Sequence, residues 1–346
     1  MNDRLQQVRA HRRYAMLGFM GVAAIIVGSI MLVRSLATAP ATDAAPASSG
    51  GASGRMTAIE VQTALSGARQ YLRDGEPGKA EAILQEAIAA APADQDARIL
   101  MGEALLGLER PRDAYERYVE AIAIGPDHAE LEFATAAVAN TAGLPDRAEE
   151  HYWKAQTLDP TNPKHPLYLA QIQRKLGRSD EAKASLLRAT KLEPGLAIGW
   201  GVLADMALEE NKLSLARQHI AKARAIEPAN TRWRLIEARI LKRDNEPEAA
   251  VRLLRSLPDD ELLADPNLLA EAAACYAMLS RPDDAAGLFM LASARSPDDA
   301  ALAFDAAVWL DRAGRPSDAE VFASAAANRG HQKARELLNN LRAAQR

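Results

Sequence analysis

An all-α array of helical hairpins is the fold class this sequence predicts, and three observations predict it. Prolines stand at 92, 126, 160, 194 and 228, every interval being 34 residues. Twelve residues before each lies an alanine (Ala80, Ala114, Ala148, Ala182, Ala216), a series that continues at Ala250 and resumes one residue late at Ala285 and Ala319. Twelve before each of those eight is another small residue: Ala68, Gly102, Ala136, Ala170, Ala204, Ala238, Ala273 and Ala307. Aromatic residues are only 5% of the chain, which suits closely packed alanine-rich helices rather than a β-sandwich core.

Before the period begins, the chain has a different character. Residues 1–14 are basic, and Ala15 to Val33 is a 19-residue run without a charge. As a helix that run spans about 28 Å, close to the roughly 30 Å hydrocarbon core of a bilayer. Arg9, Arg12 and Arg13 precede it and only Arg34 follows closely, so the sequence predicts a transmembrane anchor over 15–34 with its N-terminus inside the cytoplasm. A cleavable secretory signal is the competing reading. Pro40 directly after Ala37-Thr38-Ala39 opposes cleavage, and the apolar run exceeds the usual signal core. Ala24 and Gly28 form a small-xxx-small pair, which implies weak self-association through the anchor. Residues 35–57, rich in Ala, Pro, Ser, Thr and Gly, have almost no large apolar side chain to bury and read as a flexible linker.

Within each repeat, two helical stretches flank a short turn holding Gly75, Gly143, Gly177, Asn211, Asn245 or Gly314. One small residue on each helix lets the two backbones approach. A larger residue follows four positions after the second small site (Leu84, Tyr118, Tyr152, Leu186, Ile220, Leu254, Phe289), and a third small residue three later. That i, i+4, i+7 spacing is one face of a helix. Acids open the second helix at its positive end, and proline closes the repeat because it cannot continue the helix. The aspartate doublets 259–260, 283–284 and 298–299 follow prolines at expected helix starts and read as caps.

These residues together resemble the tetratricopeptide repeat family, in period, small-residue spacing and terminal proline. The resemblance implies a right-handed α-solenoid of about eight helix-turn-helix repeats over 58–333 (61–94, 95–128, 129–162, 163–196, 197–230, 231–264, 266–299, 300–333), with 334–346 as a capping helix. The sixth repeat lacks its proline, and Ala323 stands where the eighth should have a large residue.

Chemistry is sparse. Cys275 is the single cysteine, so no internal disulfide or cysteine cluster forms. The six histidines never fall three or four apart, and no nucleophile elbow or HExxH is present. "GEPGKA" at 75–80 lacks the spacing and the final Ser/Thr of a phosphate loop. No cofactor, metal or catalytic role is expected. Residues beyond 34 carry a net charge of −8, which argues against nucleic acid as partner.

The resemblance implies that protein or extended peptide ligands lie in a concave groove lined by the first helices. The Lys/Asn pair that grips a terminal carboxylate in some members is missing from all eight. The groove positions are zoned instead. Gln171, Arg174 and Lys175, then Arg232, Arg239, Lys242 and Arg243, are polar or basic, with Asp205 and Glu209 interrupting; Ala274, Met278, Phe304 and Val308 are mostly apolar. The expected function is a membrane-tethered interaction scaffold or chaperone-like assembly factor on the extracytoplasmic side of a bacterial inner membrane. An accessory subunit of an envelope enzyme, or of a secretion or cytochrome-maturation complex, is the alternative.

Overall fold

The computed structural model describes residues 56–344, all-α with eighteen helices and no strand among them. The anchor segment and nearly all of the linker lie outside the described residues. Among the described residues, no helix is long and apolar enough to cross a membrane. The described residues divide into two compact units, one ending at Leu192 and the other beginning at Glu193.

In the first unit the helices are α1 (Ala58–Arg73), α2 (Pro77–Ala90), α3 (Gln95–Gly107), α4 (Pro111–Ile124), α5 (Ala129–Thr141), α6 (Pro145–Leu158), α7 (Lys164–Lys175) and α8 (Ser179–Leu192). The second holds α9 (Ala197–Glu209), α10 (Leu213–Ile226), α11 (Thr231–Arg243), α12 (Pro247–Arg255), α13 (Asp259–Ala264), α14 (Pro266–Met278), α15 (Pro282–Arg295), α16 (Ala300–Arg312), α17 (Pro316–Asn328) and α18 (Gln332–Ala344).

One turn design recurs in every hairpin. Its central residue has positive φ, and the next amide reaches back five residues, as from Glu76 N to Tyr71 O at 2.8 Å and from Lys212 N to Ala207 O at 2.8 Å. This is the left-handed helix stop that favours Gly or Asn. Two hairpins turn instead on Glu109 (φ 59°) and Ser280 (φ 55°), which composition alone does not announce as turn residues. A second set of prolines, of which the sequence reading noted only Pro282 at a helix start, begins the second helices at Pro77, Pro111, Pro145, Pro247, Pro282 and Pro316. Proline suits that first position because its missing N–H has no partner there anyway.

The small residues are where the helices meet. Ala80, Ala114, Ala148, Ala182, Ala216, Ala250, Ala285 and Ala319 are all completely buried. A Cβ built on Gly102 would lie 2.5 Å from the Tyr118 ring, so this close approach needs glycine.

The sixth repeat is irregular, and the reading of the aspartate doublets needs correction. In the sixth repeat α12 stops at Arg255, Pro258 interrupts, and the short α13 follows, its Leu262 buried as is Leu257 in the link. That interruption is the origin of the one-residue slip in the period. Of the aspartate doublets, only the third caps a helix, Asp299 accepting from the amides of Ala301 and Leu302 at 2.9 and 3.3 Å. At the other two, proline sits at or beside the cap, and the acids move into the first turn. There Asp284 accepts from Arg281 Nε at 2.8 Å.

Candidate binding faces

The groove residues fall into two sets, one in each unit. In the first unit Gln171 and Lys175 are exposed and Arg174 is half-buried, all on α7. Lys175 Nζ donates to Asn140 Oδ1 at 2.9 Å, which ties α7 to α5.

The second unit brings its basic residues around a buried acid. Glu271 of α14 is 7% exposed, and Lys242 Nζ and Arg239 Nε of α11 reach its two oxygens at 2.6 and 3.4 Å. A carboxylate taken out of water needs such partners. Two of the four predicted α11 cations are therefore committed internally, and the group keeps one net positive charge. Sequence reasoning missed Glu271, although it is the only charged residue in α14, PNLLAEAAACYAM. Arg243 is exposed with no ion pair among the described residues, and Arg232 is exposed with its guanidinium 5.3 Å from the Trp233 ring centroid. Asp205 is buried in α9, which leaves little of its carboxylate open to a ligand.

At the distal end Met278 is open, at 46% exposure, while Ala274 and Val308 are half-buried. Phe304 is half-buried and stacks on His331 with 4.2 Å between ring centroids, against a cluster of Ala303, Ala326, Ala327 and Ala334. The last hairpin thus covers part of the predicted apolar zone.

Two histidines share one repeat position 68 residues apart, twice the period, a signal that local spacing could not show. His151 of α6 joins three helices. Its Nδ1 meets Glu132 Oε2 of α5 at 2.5 Å, and its Nε2 meets the Tyr115 hydroxyl of α4 at 3.2 Å. Each ring nitrogen thus has one partner. With Glu132 and His151 both buried, no substrate reaches them. This is a tie between repeats.

The second, His219 of α10, stacks on Trp200 of α9 at 5.6 Å, and Lys222 Nζ lies 3.9 Å from the same ring. Burial first, then the Lys222 charge, holds the His219 imidazole below its ordinary range. Neutral when folded, it takes up a proton more readily once unfolded. Its stability contribution is therefore whole above the ordinary value of about 6.5 and is lost as pH falls through the lower folded value. Stability of the second unit should fall between pH 7 and pH 5, less steeply in His219→Gln. Equal slopes in thermal melts would count against this assignment.

Cys275 is fully buried, and burial followed by Glu271 pushes its thiol up to about 12, so it stays protonated. Between α2 and α4 lies a groove of about 430 Å³ over Met101 and Leu105, its rim crossed by Arg110 pairing with Glu81 at 2.9 Å and Asp113 at 2.7 Å. No group of three metal-ligating side chains occurs among the described residues.

Models of the tetratricopeptide repeat match residues 71–138 and 167–231. No curated protein matches the sequence. Among solved structures the chain is similar to the APC/C hetero-tetramer Cut9-Hcn1, with TM-score 0.53 and 15% identity over 83% of this chain and 57% of that one. Yeast Tom70 gives TM-score 0.53 and 16% identity, covering 85% of this chain and 66% of that one. A tetratricopeptide repeat protein from Parabacteroides merdae gives TM-score 0.52 and 16% identity, covering 82% and 99%. At such identities the likeness is one of fold alone. The two matched stretches and the fold of these neighbours support the tetratricopeptide repeat family for this chain, an all-α helical-repeat solenoid.

Proposed function

We propose that this chain is an interaction scaffold or chaperone-like assembly factor, tethered to a bacterial inner membrane by residues 15–33 with its repeats on the extracytoplasmic side. Tetratricopeptide repeat proteins generally mediate protein–protein contacts, which supports the scaffold half of this reading. The observation that carries the ligand class is the α11 surface. Exposed Arg232 and Arg243 flank Arg239 and Lys242, whose pair with Glu271 leaves one positive charge over. An acidic extended peptide matches that charge.

The test is charge reversal at Arg232 and Arg243, which leaves the Glu271 pair intact. A partner captured from membranes by the full chain should be lost from the double variant and should bind more weakly as salt rises. A partner retained by the variant at every salt concentration would remove the basic face from consideration. For the tether, a reporter fused after Arg346 should be active only outside the cytoplasm, because arginines crowd the N-terminal flank of the apolar run. Activity inside the cytoplasm would reverse the topology.

A further inference from the structure

On the second helices of three successive hairpins in the first unit, one repeat position is apolar and open. Val119 of α4, Trp153 of α6 and Leu187 of α8 are 34 residues apart and 38%, 57% and 50% exposed. The same position holds Gln85 in the repeat before and Ala221 in the repeat after. The stripe therefore has three rungs with the tryptophan at its centre. A single exposed leucine needs no explanation, but an aligned row ending on both sides does.

The next position along each helix reads Glu120, Lys154 and Arg188. Glu120 is held by Arg117 at 3.0 Å and Arg98 at 3.3 Å, yet its side chain stays 39% exposed. Arg188 is exposed and makes no ion pair among the described residues, and neither does Lys191 one turn on. Lys154 is paired with Glu150 of its own helix at 3.1 Å. Acid, neutralised centre, base is a self-complementary order.

We propose that this stripe is a self-association face on which a second copy of the chain docks about a two-fold axis running along α6. That axis sets Trp153 against Trp153 of the other copy, Val119 against Leu187, and Glu120 against the unpaired Arg188. It is an isologous contact, each patch meeting its own image. The perpendicular axis would set Glu120 against Glu120 and Arg188 against Arg188, so the charges choose between them. Three rungs make a small contact, in the class below about 1,200 Å² that gives weak, transient association. This face is made of second helices and is separate from the basic first-helix surface of α11.

The full chain in mild detergent tests it, because the only native cysteine, Cys275, is buried and silent. Lys154→Cys, next to the axis, should cross-link to itself under a mild oxidant. Val119→Cys and Leu187→Cys should each cross-link poorly alone and well when mixed. In sedimentation, Trp153→Ala and Arg188→Glu should each raise the dimer dissociation constant about tenfold or more, and Glu120→Arg with Arg188→Glu should restore it. Arg188→Glu alters an exposed side chain, so its effect cannot be ascribed to misfolding. Several results would overturn the proposal: a monomer at all concentrations, self-linking of Val119→Cys, or a dimer indifferent to both Trp153→Ala and Arg188→Glu. The last would place self-association in the apolar N-terminal segment. Loss of a different protein or of vesicle binding from Trp153→Ala, with no dimer, would assign the stripe to another occupant.

Discussion

Replacing Gly201 with leucine should lower the stability of the second unit by about 3 kcal/mol or more, the upper range for overpacking a close contact. Gly201 lies within α9, where glycine ordinarily costs about 1 kcal/mol relative to alanine, so sequence reasoning alone makes Gly201→Ala a stabilising change. The structure reverses that sign. A Cβ at this position would lie 2.1 Å from Cζ3 of Trp233. The indole cannot simply move aside, being 1% exposed with its Nε1 donating to Glu227 at 2.8 Å. Even the alanine variant should unfold at lower denaturant than wild type. Gly287 in α15 is the control, because nothing lies within 4 Å of its built Cβ. There Gly→Ala should stabilise by up to about 1 kcal/mol. Denaturant melts of both variants decide the matter. A Gly201→Ala protein as stable as Gly287→Ala would show that Trp233 does not hold this contact.

Removing both partners of Glu271 should cost about 2–3 kcal/mol. Losing the partner of a buried charge costs about 3–5 kcal/mol, and that range is reduced here because the side chains of Arg239 and Lys242 are 33% and 29% exposed. The converse substitution should be nearly neutral. Glu271→Leu leaves two cations that can turn to water and adds an apolar side chain beside Leu268 and Ala272, both buried. The triple variant Arg239→Ala, Lys242→Ala, Glu271→Leu should therefore recover most of the loss. A triple variant no more stable than the double one would mean that the cations act through packing of their stems and not through the charge of Glu271.

The period-34 pattern carries so much of the fold because each hairpin meets its neighbours in the same way. Ala68, Ala80 and Ala87 are each completely buried, and their counterparts one period on, Gly102, Ala114 and Ala121, are buried too. A constraint imposed by backbone approach repeats wherever the approach does, so it is visible as spacing. The positive-φ turns are legible at Gly75 or Asn211 for the same reason, and illegible at Glu109 and Ser280, exposed residues that do not favour the conformation but sit within the same backbone hydrogen bonds, Arg110 N to Leu105 O at 2.9 Å and Arg281 N to Tyr276 O at 3.1 Å.

The proposed binding face was legible only as a list of basic residues. Arg239, Lys242 and Arg243 look alike on paper. The structure separates them, because the neighbouring first helix supplies Glu271 to two and nothing to the third. The tie of Tyr115, His151 and Glu132 was likewise out of reach, since its members lie on three helices, 19 and 36 residues apart. The sixth repeat shows the same boundary. Its missing proline was plain in the sequence, whereas the stop at Arg255 and the added turn over Asp259–Ala264 were not. The sequence by itself determined what depends on distance along one helix or on a fixed period: the helices, the small contact residues and most of the turns. Tertiary structure alone decided which charges are neutralised, which aromatic rings are covered and which apolar rungs stay open. Those outcomes depend on what the next hairpin places opposite, and that side chain lies outside the local pattern.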